Sequence, residues 1–416
     1  MRINNATRTC WHNATRRIIA CGTTALMVGT LISPVTAFAA EWVTVDSQTY
    51  EEAHAEETWS WDGEDDLNLN GYTGGNIEAA GTLNINYSGD NTTGSIRVEE
   101  GEDEDASLTV NGDAGSTLDV SGDYYGIVSD GGVSFTGEGE VSVSATNVGI
   151  SSEGDMTVDQ TTLNVDVDNT GLDDGESGYD DGVSGIEVYG ELNIEDALVN
   201  VSAKTTDDQS AAGIRVFNGG EDEEGNTLNA ALNIKDSFAN VTAEGSDTNT
   251  FGLLALAEGG NAYVNVDHSM VNVKSSFAAV VAATANDDTT NYVSDIFLTD
   301  SELLVPEGGE IAYANSAFED DDDTYLSVAY IGTGESEYLY ENVASEALIA
   351  PTEDEEDDVD PSDTLPVEPA SMVTPTNGGT SAIANTGDST STGFVAAALA
   401  GVAALATGFA VSRRRE

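Results

Sequence analysis

Residues 192–216 have the sequence LNIEDALVNVSAKTTDDQSAAGIRV, in which apolar and polar residues alternate one by one over three short runs. The runs are Leu192–Ile194, Val199–Ala203 and Ile214–Val216. A period of two is typical of a half-buried β-strand. The same three-run pattern returns from Leu232 to Leu256 and again from Tyr263 to Val281. Three short strands that recur in a fixed order predict a solenoid.

Similar triplets occupy most of the chain between residues 59 and 350. Because each triplet repeats in the same order and direction, like strands stack on like, and the predicted fold is all-β: a right-handed parallel β-helix of three sheets, with about seven to nine coils. Inward Leu, Ile, Val and Ala would fill a narrow core, and polar residues would face solvent. At about 4.8 Å per coil the rod would be roughly 35 to 45 Å long. Glycine precedes the third strand at Gly126, Gly185, Gly213 and Gly252, which predicts a tight bend there.

Two tryptophans, Trp59 and Trp61, stand at the start of the repeats. Exposed, they would form a platform on which a sugar stacks. Buried, they would cover the open N-terminal end of the core, where edge strands need protection, and this second interpretation is favoured.

Asparagine recurs at one outward position of two strands. The first strand carries Asn193, Asn233 and Asn265, and the second carries Asn200, Asn240 and Asn272. Stacked amides hydrogen-bond to one another along a solenoid, and that structural role is favoured. The alternative is a flat polar face that binds a glycan.

The first 39 residues predict a secretory signal peptide. Arginines at its start are followed by an apolar run, residues 25–32, and by Ala37-Phe38-Ala39. A basic segment, a short apolar segment and a small-x-small site place cleavage between Ala39 and Ala40. The pair Arg16-Arg17 leaves open whether export is by the general or the twin-arginine route.

The other end of the chain carries Ile383-Ala384-Asn385-Thr386-Gly387, an apolar segment at 394–411 and a basic tail at 412–416. The apolar segment is just long enough to span a bilayer as a helix, and arginines at its end would stay on the cytoplasmic side. This order resembles the cell-wall sorting signal of Gram-positive surface proteins, of the LPxTG type or its LAxTG variant. Ile383 and Ala384 stand where Leu-Pro is usual, which leaves open which sortase acts.

The resemblance implies that a sortase cleaves between Thr386 and Gly387 and joins Thr386 to peptidoglycan. The alternative is an ordinary single-pass membrane tail. Between the solenoid and this motif, residues 351–382 are acidic and rich in proline, and such a segment predicts an extended linker. Residues 40–58 predict a cap or lead ahead of the solenoid at 59–350.

Charge excludes some partners. The chain has 12 basic and 76 acidic residues, a net charge of −64. Removal of the signal and of the segment after Thr386 leaves five basic residues and all but two of the acidic ones. Nucleic acid is therefore excluded as a partner, because it is bound by neutralising phosphates. Both cysteines, Cys10 and Cys21, lie in the signal, so no disulfide supports the mature fold.

Acidic runs suggest calcium as the cofactor. They lie at 99–105, 173–181, 221–224 and 320–323. Clustered carboxylates are suitable calcium ligands, but none of the runs has the spacing of a known calcium loop, so solvated loops stay the alternative and no metal ligand is assigned.

Catalytic signals are poor. Arg97 and Arg215 lie mid-strand without a partner motif, and His54 and His268 are isolated. These residues assemble neither a nucleophilic triad nor a zinc site. No catalytic residue is predicted, and the chain is not expected to be an enzyme.

The segment from Trp59 to Tyr72 is followed by Leu83–Ile85 and by glycine-rich coils. This order resembles that of adhesin-like surface proteins of Gram-positive gut actinobacteria. It is also similar to the carbohydrate-binding parallel β-helix family. The resemblance implies a secreted, sortase-anchored, non-catalytic surface protein that binds polysaccharide or a host surface. An acidic coat or stalk protein without a specific ligand is the main alternative, and a polysaccharide lyase-like enzyme is the third.

Overall fold

The computed structural model describes residues 40–101, 106–171, 182–206, 209–219, 228–286, 292–317, 325–334 and 342–352. Regular structure in these ranges is β-strand throughout. None of the described elements is a helix long and apolar enough to cross a bilayer.

The strands fall into three groups along the chain. The N-terminal group is β1 (Trp42–Val45), β2 (Gln48–Tyr50), β3 (His54–Ala55), β4 (Trp59–Trp61), β5 (Asp66–Asn70) and β6 (Ile77–Ala80). The regular group is β7 (Thr82–Ser88), β8 (Asp90–Thr93), β9 (Ile96–Glu99), β10 (Ser107–Gly112), β11 (Thr117–Ser121), β12 (Tyr125–Ser129), β13 (Gly132–Gly137), β14 (Glu140–Ala145), β15 (Val148–Ser152), β16 (Met156–Asp159), β17 (Thr162–Asp168), β18 (Val183–Val188), β19 (Glu191–Glu195), β20 (Leu198–Lys204), β21 (Ala211–Gly219), β22 (Ala230–Lys235), β23 (Phe238–Glu244), β24 (Thr250–Glu258), β25 (Ala262–Asp267), β26 (Met270–Ser275) and β27 (Ala278–Asn286). The C-terminal group is β28 (Ser294–Thr299), β29 (Ser301–Val305), β30 (Glu310–Ala317), β31 (Tyr325–Gly332) and β32 (Glu346–Pro351).

These strands build three sheets, A, B and C, and the chain visits them in turn. Sheet A has the order β28-β25-β22-β19-β16-β13-β10-β7-β5-β4-β3. Sheet C has the order β29-β32-β26-β23-β20-β17-β14-β11-β8, and sheet B β2-β1-β6-β9-β12-β15-β18-β21-β24-β27-β31-β30. From β7 to β27 each strand of sheet A is followed by one of sheet C and one of sheet B, and like strands of successive coils pair in parallel. The predicted three-sheet parallel β-helix is confirmed, with roughly ten coils where seven to nine were predicted.

The ends of the solenoid differ from the regular coils. At the N-terminus β1 pairs antiparallel with β2 and β6, and β4 pairs antiparallel with β3 and β5. At the C-terminus β31 pairs antiparallel with β27 and β30, and β32 with β26 and β29. Within the range predicted to form coils, β28 continues the parallel stack on β25, but β29, β30 and β31 pair antiparallel and are not further parallel coils. Reversed strands cover the edges that a parallel stack would leave open.

The core is a set of stacked columns. One column runs through sheet A from coil to coil: Leu83, Leu108, Val133, Met156, Leu192, Leu232, Val264 and Ile296. Each of these side chains is at most 2% exposed. Because the register stacks apolar residue on apolar residue, the alternation seen in the sequence is sufficient to fill the interior.

The glycine column has a different cause from the one predicted. Gly126, Gly185, Gly213 and Gly252 lie inside strands of sheet B, and none has a φ in the left-handed region. A Cβ at Gly213 would lie 2.2 Å from Cγ1 of Val241 and 2.7 Å from the carbonyl oxygen of Gly252. Glycine is needed because the backbone of sheet B approaches the inward valines of sheet C, so the predicted bend was wrong.

Candidate functional site

The outer face of sheet C carries aligned columns of side chains. Register pairs Leu198 with Phe238 and Phe238 with Met270, and it pairs Asn200 with Asn240 and Asn240 with Asn272. Alternate residues of a strand share a face, so the two columns lie side by side. We call these six residues, on β20, β23 and β26, the amide–apolar face.

The asparagines of this face stack as a ladder in which amide–amide hydrogen bonds join two pairs. Nδ2 of Asn272 donates to Oδ1 of Asn240 at 2.8 Å, and Nδ2 of Asn200 donates to Oδ1 of Asn164 on β17 at 2.9 Å. All four side chains are half-buried. A primary amide has two N–H donors and an oxygen with two lone pairs, so stacking leaves capacity for a ligand.

Beside the ladder lies an exposed apolar column. Leu198 is 38% exposed, Phe238 39% and Met270 41%. Single exposed apolar residues are ordinary on protein surfaces, but a contiguous set beside polar groups is typical of a binding site. Amide donors and acceptors next to an aromatic ring suit a molecule that has both hydroxyl groups and C–H surfaces.

Charge is uneven along sheet C. Between β11 and β17 the outward residues include Asp119, Glu140, Asp166 and Asp168. Between β20 and β26 the charged outward residues are Lys204, Glu244 and Lys274. Nζ of Lys274 lies 3.6 Å from Glu346 on β32. The amide–apolar face is therefore close to neutral on a strongly acidic chain.

A shallow groove of about 570 Å³ runs across these strands. Its lining includes Asp119, Asp166, Asn200, Lys204, Asn240 and Glu244. Near its rim, side-chain and backbone hydrogen bonds from Thr170 hold the pKa of Asp168 below its ordinary value, and Lys204 acts in the same direction. The groove joins the acidic part of sheet C to the amide–apolar face.

The second predicted asparagine column lies on sheet A. Nδ2 of Asn233 donates to Oδ1 of Asn193 at 2.8 Å, and Asn265 donates in turn to Asn233. Asn265 is in register with Phe297, whose side chain is 46% exposed. Both columns therefore hydrogen-bond internally, as the favoured interpretation requires.

The tryptophans at the N-terminal end are buried in the main core, Trp59 at 7% and Trp61 at 2% exposure. Nε1 of Trp61 donates to the carbonyl oxygen of Glu64 at 3.2 Å. Their burial favours the capping role over the sugar platform.

A buried ion pair occupies the outer face of sheet B. Arg215 on β21 lies 2.7 Å from Glu187 on β18, and their side chains are only 5% and 2% exposed. The hydroxyl of Tyr189 donates to Glu187. Burial, the largest single influence, lowers the pKa of Arg215, but the adjacent Glu187 and Tyr189 together outweigh it and leave the pKa of Arg215 raised. Burial, with Glu187, also raises the pKa of Tyr189 well above its ordinary value.

The sequence analysis did not identify this pair. A signal was available, because Glu187 follows Gly185 and Arg215 follows Gly213 at the same spacing, which places the two side chains on neighbouring coils. Arg97, by contrast, is half-exposed and pairs with Glu99 at 2.8 Å.

Several predicted sites lie outside the described residues. They are the signal with Ala39, the sorting motif with Ile383, Ala384, Asn385, Thr386 and Gly387, the membrane segment, and most of the four acidic runs. Ala40 is described and is buried.

Carboxylate oxygens of Asp62, Glu64 and Asp65 lie within 4.8 Å of one another. Asp62 and Glu64 are exposed and Asp65 is half-buried, and Asp62 Oδ1 already accepts from the backbone N–H groups of Glu64 and Asp66, so the cluster assigns no metal site.

Sequence reasoning also missed the apolar half of the amide–apolar face. Leu198, Phe238 and Met270 each stand two residues before an aligned asparagine. Residues two apart on a strand share a face, so this spacing was the available signal.

No protein-family model, no curated protein and no solved structure matches the chain.

Proposed function

We propose that the chain is a secreted, non-catalytic surface protein that a sortase joins to peptidoglycan and that binds a glycan through the amide–apolar face. The observation that carries the binding proposal is the exposed column of Leu198, Phe238 and Met270 beside the hydrogen-bonded asparagines. Sugars offer C–H surfaces to aromatic and aliphatic groups and hydroxyls to amides. The anchoring proposal is supported by the sequence order of motif, apolar segment and basic tail.

Replacing Phe238 with alanine is expected to weaken glycan binding about tenfold, because loss of one ring contact removes about 1.4 kcal/mol. The measurement is retention on a glycan array followed by titration calorimetry with the retained glycan. Phe297→Ala is the matched control, since that ring is similarly exposed but lies on sheet A. Equal losses in both variants would contradict this placement of the site. Comparing calcium with a chelator in the same assay tests whether binding uses the calcium that the acidic runs suggest.

Replacing Thr386 with alanine is expected to abolish covalent attachment to the wall, because the proposed sortase transfers the chain through the carbonyl of Thr386. The readout is the share of protein that muramidase digestion releases from washed cell walls. Thr380→Ala, a threonine outside the motif, is the control. Unchanged wall attachment of the Thr386 variant would contradict sortase anchoring.

A lyase-like activity is the second candidate, favoured by Lys204 lying with Asp119 and Asp166 in the sheet C groove. A lysine beside acidic groups is the arrangement that proton abstraction from a uronic acid would use. Incubation with polygalacturonate, followed by absorbance of the unsaturated product, separates the two candidates. The binding proposal predicts no product. Absence of both product and glycan retention would favour the acidic coat.

A further inference from the structure

We infer that the ligand of the amide–apolar face is a neutral glycan in an extended, equatorially linked chain that lies along the solenoid axis with one sugar per coil. This inference rests on the proposed function and specifies its ligand class. It follows from the direction of the columns, their chemistry and the local charge.

The direction of the columns sets the direction of the ligand. Leu198, Phe238 and Met270 come from three successive coils at the same register position, so their column runs along the axis. Neighbouring strands lie about 4.8 Å apart. That spacing is close to the length that one equatorially linked pyranose adds to an extended chain. A helical or strongly bent glycan would leave the column after one contact.

The chemistry of the two columns matches the two aspects of such a chain. An equatorially linked pyranose has C–H groups on its ring faces and hydroxyls around its edge. The ring of Phe238, flanked by Leu198 and Met270, would contact the C–H face. The adjacent amides of Asn240 and Asn272 would pair with the edge hydroxyls through the donors and lone pairs that the ladder does not use.

Local charge decides between neutral and anionic chains. Two lysines, Lys204 and Lys274, flank the amide–apolar face, and Glu244 and Glu346 lie beside them. The same sheet continues into Asp119, Asp166 and Asp168, and the whole chain has a net charge of −64. A polyuronate or sulfated glycan would be repelled during approach and along most of its length. A neutral chain meets no such barrier.

The test is titration calorimetry of the whole secreted chain with hexasaccharides of three kinds. Cellohexaose and mannohexaose are neutral and extended, maltohexaose is neutral and coiled, and hexagalacturonate is anionic. We expect an extended neutral hexamer to bind at least tenfold more tightly than the other two kinds. We also expect affinity to rise steeply from the disaccharide to the trisaccharide, which covers the three coils of the column.

Variants link the binding to the face. Asn240→Ala and Phe238→Ala are each expected to reduce affinity for the extended hexamer about tenfold, whereas Asn233→Ala, which removes an equivalent ladder amide from sheet A, is expected to leave affinity unchanged. Circular dichroism and the urea midpoint of each variant show that it is folded.

Tighter binding of hexagalacturonate or maltohexaose would overturn the inference about the ligand but would leave the proposed glycan-binding function standing. Loss of affinity in Asn233→Ala alone would overturn the site. Failure of every glycan on a broad array to bind would overturn the proposed function itself.

Discussion

Replacing Gly213 with alanine is expected to destabilise the solenoid by about 3 kcal/mol, the upper end of the range for overpacking. The new Cβ would lie 2.2 Å from Cγ1 of Val241 and 2.7 Å from the carbonyl oxygen of Gly252, and both atoms belong to the packed interior. Neither can retreat without opening sheet C or the backbone of the next coil. The measurement is the urea midpoint and slope of the purified protein, followed by circular dichroism.

Gly171→Ala is the control for this substitution. A Cβ at Gly171 would meet nothing within 4 Å, and its φ is outside the left-handed region, so the stability should change by less than about 0.5 kcal/mol. Combining Gly213→Ala with Val241→Ala removes the nearer contact. The double variant should lose less stability than the sum of the single variants, by about 1 kcal/mol. If the stability losses of Gly213→Ala and Val241→Ala are strictly additive, contact with Val241 is not the reason why glycine is required at position 213.

Replacing Arg215 with methionine is expected to destabilise the protein by about 3–5 kcal/mol, because it leaves the buried Glu187 carboxylate without its cation. The pair is sealed from solvent on the outer face of sheet B, where water cannot take the place of the guanidinium. The measurement is again the urea midpoint and slope, so that the two interior perturbations can be compared on one scale.

Two further variants test the electrostatic origin of that loss. Arg97→Met removes an arginine whose pair with Glu99 is half-exposed, and it should cost at most about 1 kcal/mol. Adding Glu187→Gln to Arg215→Met removes the stranded charge and keeps an oxygen for the hydroxyl of Tyr189. The double variant should recover most of the stability. If it is no more stable than Arg215→Met, the loss comes from side-chain volume.

The core could be predicted from the sequence because it depends on a short-range pattern. Leu192, Leu232 and Val264 occupy one column as a consequence of strict alternation and a repeated order of strands. The direction in which strands pair could not be predicted in the same way. The alternating pattern of β29 to β32 is compatible with either direction of pairing, so the antiparallel ends could not be derived from it.

The candidate site was predictable only in part, for a related reason. The asparagine columns recur at fixed positions and were visible in the sequence. Phe238 was not singled out, because an apolar residue at the start of an alternating run resembles a core residue, and only the register shows that it faces outward. The pair of Glu187 and Arg215 required knowledge of which coils are adjacent, since 27 residues of sequence lie between its members.

The position of β32 has a mechanical consequence. This last described strand lies in sheet C between β26 and β29, and its residues Ala347 and Ile349 are buried in the main core. Under the proposed anchoring, a pull from the cell wall would enter the solenoid at Pro351. The force would act on the backbone hydrogen bonds that pair β32 with β26. The strand that receives this tension therefore borders the one that carries Met270 and Asn272. Resistance to shear flow would depend on how fast β32 peels from its neighbours under load, a rate property and not an equilibrium one.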